Sequence, residues 1–203
     1  MTVNLQRFCA NDFDYREYLR APWRAGNWVY ATNGHVCVRV AAALVPDALQ
    51  SSGQRPNAAA LFDKWFDQEG EFLVMPEVPA AEVCKACDGH GWHHAIKCSD
   101  CTDGVFKHGH HAYDCLNCAD EPVEAGYIAT EDAADPKMVC NECIGRGFAR
   151  LQFHELGCNK FDLGYLNWLA ALPQLRVRVH EGLDAAAAFI FDGGQALLMP
   201  VRW

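Results

Sequence analysis

Eight of the eleven cysteines in this 203-residue chain occur as four Cys-x-x-Cys pairs between residues 84 and 147. The stretch around them has few aliphatic residues and many turn formers, so it cannot bury a large hydrophobic core. We therefore expect bound metal to supply its stability. The pairs are Cys84/Cys87, Cys98/Cys101, Cys115/Cys118 and Cys140/Cys143.

Two Cys-x-x-Cys pairs provide the four sulfur ligands that zinc prefers in a tetrahedral site. Four pairs therefore predict two Zn²⁺ ions per chain. The alternatives are disulfides, which a reducing compartment disfavours, and an iron–sulfur cluster, whose cysteines are usually spaced more tightly. The same stretch contains six histidines, interpreted as solvated loop residues, with an additional weak metal site as the alternative. They are His90, His93, His94, His108, His110 and His111.

The first and last pairs share the form Cys-x-x-Cys-x-Gly-x-Gly, which suggests that they bind one ion together. The predicted sites are then Cys84, Cys87, Cys140 and Cys143 (site 1) and Cys98, Cys101, Cys115 and Cys118 (site 2). Pairing in sequence order is the alternative. The block resembles the cysteine-rich zinc domain of DnaJ-type co-chaperones, in which repeats one and four share a zinc ion and repeats two and three share the other. The second repeat departs from that pattern by displacing one glycine, and the third has none.

The flanking segments predict an α+β domain in which antiparallel strands dominate. An Asn33-Gly34 turn is a strong hairpin signal, and Asn57 and Asn159 are candidate helix caps. The predicted elements are strands over 27–32, 35–40, 71–75, 148–153, 175–180, 187–191 and 196–202, helices over 58–66 and 161–172, a helical turn within 14–19 and a loop over 51–56.

Three short segments of the flanks resemble the bacterial beta sliding clamp, the processivity factor of DNA polymerase. They are Tyr30-Ala-Thr-Asn-Gly-His35, the helix carrying Tyr165-Leu166, and the C-terminal Leu198-Met-Pro-Val-Arg-Trp203. The resemblance implies one discontinuous clamp-like α+β domain, formed by residues 1–80 and 149–203. An irregular, DnaJ-like two-zinc module, residues 81–148, is inserted in it. Since family clamps build a ring from six domains, one domain per chain implies a hexamer or no ring.

The charge balance argues against general nucleic-acid binding. The chain carries a formal charge of −9, and residues 84–147 hold five Lys/Arg against eleven Asp/Glu. A phosphate-binding surface is normally basic, so this balance favours a structural or protein-contacting role for the block.

The residues present no catalytic constellation, so we expect a non-enzymatic zinc protein. With the clamp resemblance, the first hypothesis is a processivity or adaptor factor in DNA replication or repair, with a combination of modules suggestive of a bacteriophage. The alternative is a protein-interaction module in which the zinc block binds a partner polypeptide, as a co-chaperone or a host-factor inhibitor would. We expect a cytoplasmic protein with protein partners and no membrane contact, and leave bound DNA and a homo-oligomer open.

Overall fold

Antiparallel strands predominate in the computed structural model, which describes residues 3–45, 55–182 and 184–202. This is the predicted α+β class. The described elements are β1 (Trp23–Ala25), β2 (Trp28–Thr32), β3 (Val36–Ala41), α1 (Ala58–Phe66), β4 (Leu73–Val74), β5 (Trp92–Lys97), β6 (Val105–His108), β7 (His111–Asp114), β8 (Tyr127–Thr130), β9 (Lys137–Val139), β10 (Phe153–Leu156), β11 (Asn159–Asp162), α2 (Leu163–Ala170), β12 (Arg176–Val179), β13 (Ala187–Phe191) and β14 (Gly194–Leu198), with short 3₁₀ segments at Leu5–Phe8, Glu17–Leu19 and Ala42–Leu44.

The chain divides into two compact units. Unit 1 comprises Met1–Ala80 and Gln152–Trp203, and unit 2 comprises Ala81–Leu151. The sequence placed the second boundary at 148/149, three residues before the division between the units. Of the loop predicted over 51–56, only residues 55 and 56 lie within the described part of the chain.

Unit 1 contains a seven-stranded antiparallel sheet in the order β1-β2-β3-β14-β13-β12-β4. The predicted hairpin between β2 and β3 is present. The Asn33 side chain accepts hydrogen bonds from the backbone N–H groups of His35 and Val36 at 3.0 and 3.1 Å, and Gly34 adopts a φ of +93°. The turn thus uses the local hydrogen bonding of Asn and the conformational freedom of Gly.

A helix covers each face of this sheet. Alternate residues of β3 separate two cores: Val36, Val38 and Val40 pack in the core that includes α2, whereas Cys37 packs in the core that includes α1. The alternating sequence of β3 predicted a half-buried strand, and this is wrong because both faces are covered. β1 was not predicted. The other six strands of the sheet were predicted and are present, and their ends differ from the predicted ends by up to four residues.

The start of the C-terminal segment differs from the prediction. A strand over 148–153 and a helix from residue 161 were expected, but β10 and β11 form a hairpin and α2 begins at Leu163. Phe161 is fully buried on β11, where it contributes to the core. Asn159 does not cap the helix, because its side chain donates to the carbonyl of Gly182 at 2.9 Å. The cap is Asp162, whose side chain accepts from the Tyr165 N–H at 3.3 Å.

Unit 2 is more regular than the sequence predicted. It contains a three-stranded antiparallel sheet in the order β8-β5-β9 and a separate hairpin of β6 and β7. Four of these five strands contain histidines or charged residues, and β8 is only four residues long, so the strands lack the longer apolar alternation that identifies strands in unit 1. Among the described residues, no helix is long and apolar enough to cross a membrane.

The cap at Asp162 can be tested by mutation. Asp162→Ala should lower the free energy of unfolding by about 1 kcal/mol, because the N–H of Tyr165 loses its acceptor. Asp162→Ser keeps a capping oxygen and should lose much less. Chemical denaturation of both variants measures the difference, and equal losses would show that the cap does not set the start of α2.

Candidate metal centres

Site 1 is built from two matching turns. In each turn, the carbonyl of the first cysteine accepts a hydrogen bond from the N–H of the first glycine. The carbonyl of the second cysteine accepts one from the residue that follows this glycine. These bonds are Gly89 N–H to Cys84 O (3.1 Å), His90 N–H to Cys87 O (2.9 Å), Gly145 N–H to Cys140 O (3.3 Å) and Arg146 N–H to Cys143 O (3.2 Å). The second glycine of each turn then donates to the second sulfur, from Gly91 to Cys87 at 3.1 Å and from Gly147 to Cys143 at 3.4 Å. The shared sequence pattern therefore encodes a shared local fold.

The two turns are also locked to each other by a reciprocal pair of backbone hydrogen bonds. Cys84 N–H donates to Gly147 O at 3.0 Å, and Cys140 N–H donates to Gly91 O at 2.9 Å. The contact is too close for a side chain: a Cβ on Gly91 would lie 2.5 Å from the Gly145 oxygen, and one on Gly147 only 2.3 Å from the Gly89 oxygen. Both glycines have positive φ, so space and backbone conformation select glycine together.

Site 2 repeats this lock with glycines at other spacings. Cys98 N–H donates to Gly126 O and Cys115 N–H donates to Gly104 O, both at 2.8 Å. Gly104 is the displaced glycine of the second repeat. Gly126 lies eight residues after Cys118 and was missed, because the third repeat was judged to lack a glycine. Gly126 is the structural counterpart of Gly147, because the carbonyl of each accepts from the first cysteine of the opposite turn. Space is equally limited there, since a Cβ on Gly126 would lie 2.9 Å from the Cα of Asp103.

Strands of unit 2 carry these turns. β5 begins directly after Gly91 of site 1 and ends directly before Cys98 of site 2. β9 leads into Cys140 of site 1, and β8 follows Gly126 of site 2. The three-stranded sheet therefore links the two sites, while the β6–β7 hairpin connects the two halves of site 2.

In the structure the outer cysteine pairs lie together, as the group Cys84, Cys87, Cys140 and Cys143, and the inner pairs lie together, as the group Cys98, Cys101, Cys115 and Cys118. In each group the four sulfurs lie within 4.8 Å of one another. The sulfur–sulfur distances include Cys84–Cys140 at 4.0 Å, Cys87–Cys143 at 3.7 Å, Cys98–Cys115 at 3.9 Å and Cys101–Cys118 at 3.7 Å. Four sulfurs at 2.3 Å around one tetrahedral zinc ion are about 3.8 Å apart, so the geometry fits a single ion of that size.

Neither group is disulfide-bonded, since all eleven cysteines are free thiols. Burial, with a smaller contribution from the charge of a neighbouring Cys143 thiolate, raises the pKa of Cys140 to about 12. Four crowded thiols therefore resist ionising together in the absence of a cation. A divalent metal reverses this preference, because it binds the thiolate form and compensates its charge.

The two sites differ in their exposure to solvent. All four cysteines of site 1 are buried, with Cys140 and Cys143 completely inaccessible. In site 2, Cys101 is partly exposed while its three partners are buried. Site 1 is therefore better shielded than site 2 from competing chelators and oxidants.

The histidines do not form a third centre of three or more ligands within the described part of the chain. His90 and His94 pack beside Trp92, with ring centroids 5.5 and 4.9 Å from it. His93 is half-buried on β5, whereas His108, His110 and His111 are exposed on the β6–β7 hairpin, where His108 and His111 are cross-strand partners.

Two of the three cysteines outside the block are buried. Burial raises the pKa of both Cys9 and Cys37 to about 12, which keeps them as neutral thiols at physiological pH. Cys158 is exposed and donates to the carbonyl of Gly182 at 3.6 Å.

Comparisons with protein-family models, with curated proteins and with solved structures found no match. The resemblances to DnaJ-type zinc domains and to sliding clamps therefore stay predictions.

The grouping of the ligands predicts how metal is lost on mutation. Cys84→Ser and Cys143→Ser should each remove the same ion, so the double variant should lose one metal ion per chain. Combining Cys84→Ser with Cys98→Ser should lose both ions, because these residues belong to different sites. Elemental analysis of the purified variants measures the stoichiometry. A double variant of Cys84 and Cys143 that lost two ions would contradict this grouping.

Proposed function

We propose that both centres bind Zn²⁺ and that the chain is a non-enzymatic zinc-binding protein. The observation that supports this most directly is the pair of four-cysteine groups at tetrahedral spacing. Four thiolates favour zinc over harder divalent cations such as Mg²⁺ and Ca²⁺. A single ion also fits the short sulfur–sulfur distances better than a multi-iron cluster placed between the same residues.

We infer that the role of the zinc is structural. Four protein ligands complete a tetrahedral shell, which leaves no position for a reacting water or substrate. Cysteines also dominate the buried interior of unit 2: one buried cluster consists entirely of the site 1 cysteines, and a second consists of site 2 cysteines with Ile128 packed against them. With so small an apolar interior, unit 2 depends on the metal for its folding energy.

We further propose that the protein acts in DNA replication or repair as a processivity or adaptor factor with a clamp-like unit 1. The arrangement of the three clamp-like segments supports this. The backbone N–H of Met199 donates to the carbonyl of His35 at 2.9 Å, and the ring of His35 stacks on Tyr165 at 5.7 Å. Segments that are far apart in sequence, and that were matched separately, are thus neighbours in space.

A second candidate is a protein-interaction module that contacts its partner through unit 2. Leu116 and Ile144, each directly after a zinc ligand, are 91% and 59% exposed. The stretch that holds both sites is acidic, with five Lys/Arg against eleven Asp/Glu. Exposed apolar side chains on an acidic surface suit a basic or apolar polypeptide better than a phosphate backbone.

Removing the metal tests its structural role. Zinc contributes on the order of 10–16 kcal/mol in small zinc-finger peptides, so a strong chelator should unfold unit 2. Unit 1 should stay folded, because its core contains no metal ligand. Amide hydrogen exchange should show lost protection at Ala95 in β5 and retained protection at Phe189 in β13. Retained protection at Ala95 after complete metal removal would contradict a structural role.

The role in replication predicts oligomerisation and topological retention on DNA. If the chain forms a clamp, the zinc-loaded protein should be a hexamer, and cutting a circular DNA should release it. Light scattering and gel filtration with circular and linearised DNA measure both properties. A monomer without DNA affinity at low salt would contradict the clamp and favour the protein-interaction module.

If unit 2 is a protein-interaction module, Leu116→Ser and Ile144→Ser should weaken partner binding without changing zinc content.

A further inference from the structure

Two buried arginines of unit 1 face α1 from the sheet, and they differ in their hydrogen-bond partners. Arg178 on β12 donates to the carbonyls of Trp65, Phe66 and Gly70 at 2.7, 3.1 and 3.2 Å. These carbonyls lie at the end of α1 and just beyond it, so Arg178 caps the C-terminus of the helix. Its two terminal nitrogens therefore have acceptors within the protein.

Arg39 on β3 has fewer partners. The residue is only 9% exposed, and its Nε donates to Gln195 Oε1 at 2.7 Å. Among the residues that the structure describes, no group accepts from its two Nη nitrogens and no carboxylate pairs with it. Neither nitrogen is among the fully buried polar atoms that lack a partner, so both reach solvent. Buried charges are normally paired, which makes this guanidinium an exception.

Aromatic rings hold the Arg39 guanidinium in place. Its Cζ atom lies 4.5 Å from the centroid of Trp28 on β2, and 4.2 and 5.8 Å from those of Phe62 and Phe66 on α1. Cation–π contacts stabilise the charge without supplying an oxygen acceptor for its N–H groups. The edge that carries the two Nη nitrogens therefore stays available, on a side chain that is already immobilised.

We propose that Arg39 is the binding site for a carboxylate, supplied either by a small organic acid or by an acidic residue of a polypeptide. The two Nη groups match the two oxygens of a planar carboxylate, which binds arginine in a bidentate manner. The amide nitrogen of Gln195 has no described acceptor and can add a further donor. A single negative charge balances the single positive charge of Arg39. A phosphate monoester would leave excess negative charge on a chain already at −9.

Titration of the zinc-loaded, isotopically labelled chain tests this site. Sodium acetate, added at constant ionic strength against chloride, should shift the Arg39 Nε–H and Trp28 indole resonances until they saturate in the millimolar range. Inorganic phosphate at the same ionic strength should bind more weakly. Shifts that never saturate, or that chloride reproduces, would overturn the proposal, and tighter binding of phosphate would overturn the choice of carboxylate.

Two variants and one peptide complete the experiment. Arg39→Lys keeps the charge but loses the planar fork, and should weaken acetate binding roughly tenfold or more. Arg176→Gln is the control, because this exposed arginine lies in the same cross-strand row and should leave the affinity unchanged. Equal affinity in Arg39→Lys would refute the site, and if that variant fails to fold, the wild-type titration decides alone.

The blocked peptide acetyl-Gly-Glu-Gly-amide distinguishes the two sources of the carboxylate. Shifts equal to those with acetate indicate a polypeptide ligand, and their absence indicates a small organic acid.

Discussion

The reciprocal hydrogen bonds between cysteine N–H groups and glycine carbonyls are the constraint on which unit 2 depends. In site 1 they join Cys84 to Gly147 and Cys140 to Gly91, and site 2 repeats the same exchange. Each bond ties the ligand residue of one turn to the end of the opposite turn. The backbone thereby brings four thiols together, although their ionisation is mutually unfavourable. Binding of a metal ion, as proposed above, would resolve this conflict, because the ion compensates the thiolate charge at the point where the backbone has placed the sulfurs.

The strands of unit 2 follow from this constraint. β5 runs from a glycine of one site to a cysteine of the other, so its two ends adjoin different four-cysteine groups. β8 and β9 pair with it in registers that start beside Gly126 and end beside Cys140. Short strands with few apolar residues are marginal in isolation. Here their ends are anchored, which allows histidines and charged side chains to occupy positions that aliphatic residues hold in unit 1.

The parts of the structure set by local chemistry were predictable from the sequence, and those set by distant contacts were not. The Asn33-Gly34 turn, the cap at Asn57, whose side chain accepts from the Ala60 N–H at 3.3 Å, and the matching turns after Cys84 and Cys140 each follow from short-range rules. Asn159 looked like a helix cap, but a hydrogen bond to the distant Gly182 placed it in a hairpin. Gly126 was missed because its role depends on a close approach to Asp103 and Gly104, and spacing from Cys118 does not reveal that contact. Arg39 was not singled out either, since its burial depends on rings contributed by separate elements.

Burial of arginine also changes how the charge of the chain should be interpreted. Two of its seventeen Lys/Arg, Arg39 and Arg178, lie inside unit 1, where aromatic rings and carbonyls stabilise them instead of carboxylates. No Asp or Glu is buried among the described residues, so the exposed side chains carry a more negative balance than the −9 of the whole chain. An acidic surface repels a phosphate backbone and attracts basic or apolar polypeptides. Within the proposed role in replication, this charge distribution favours an adaptor that contacts proteins over a subunit that grips DNA directly.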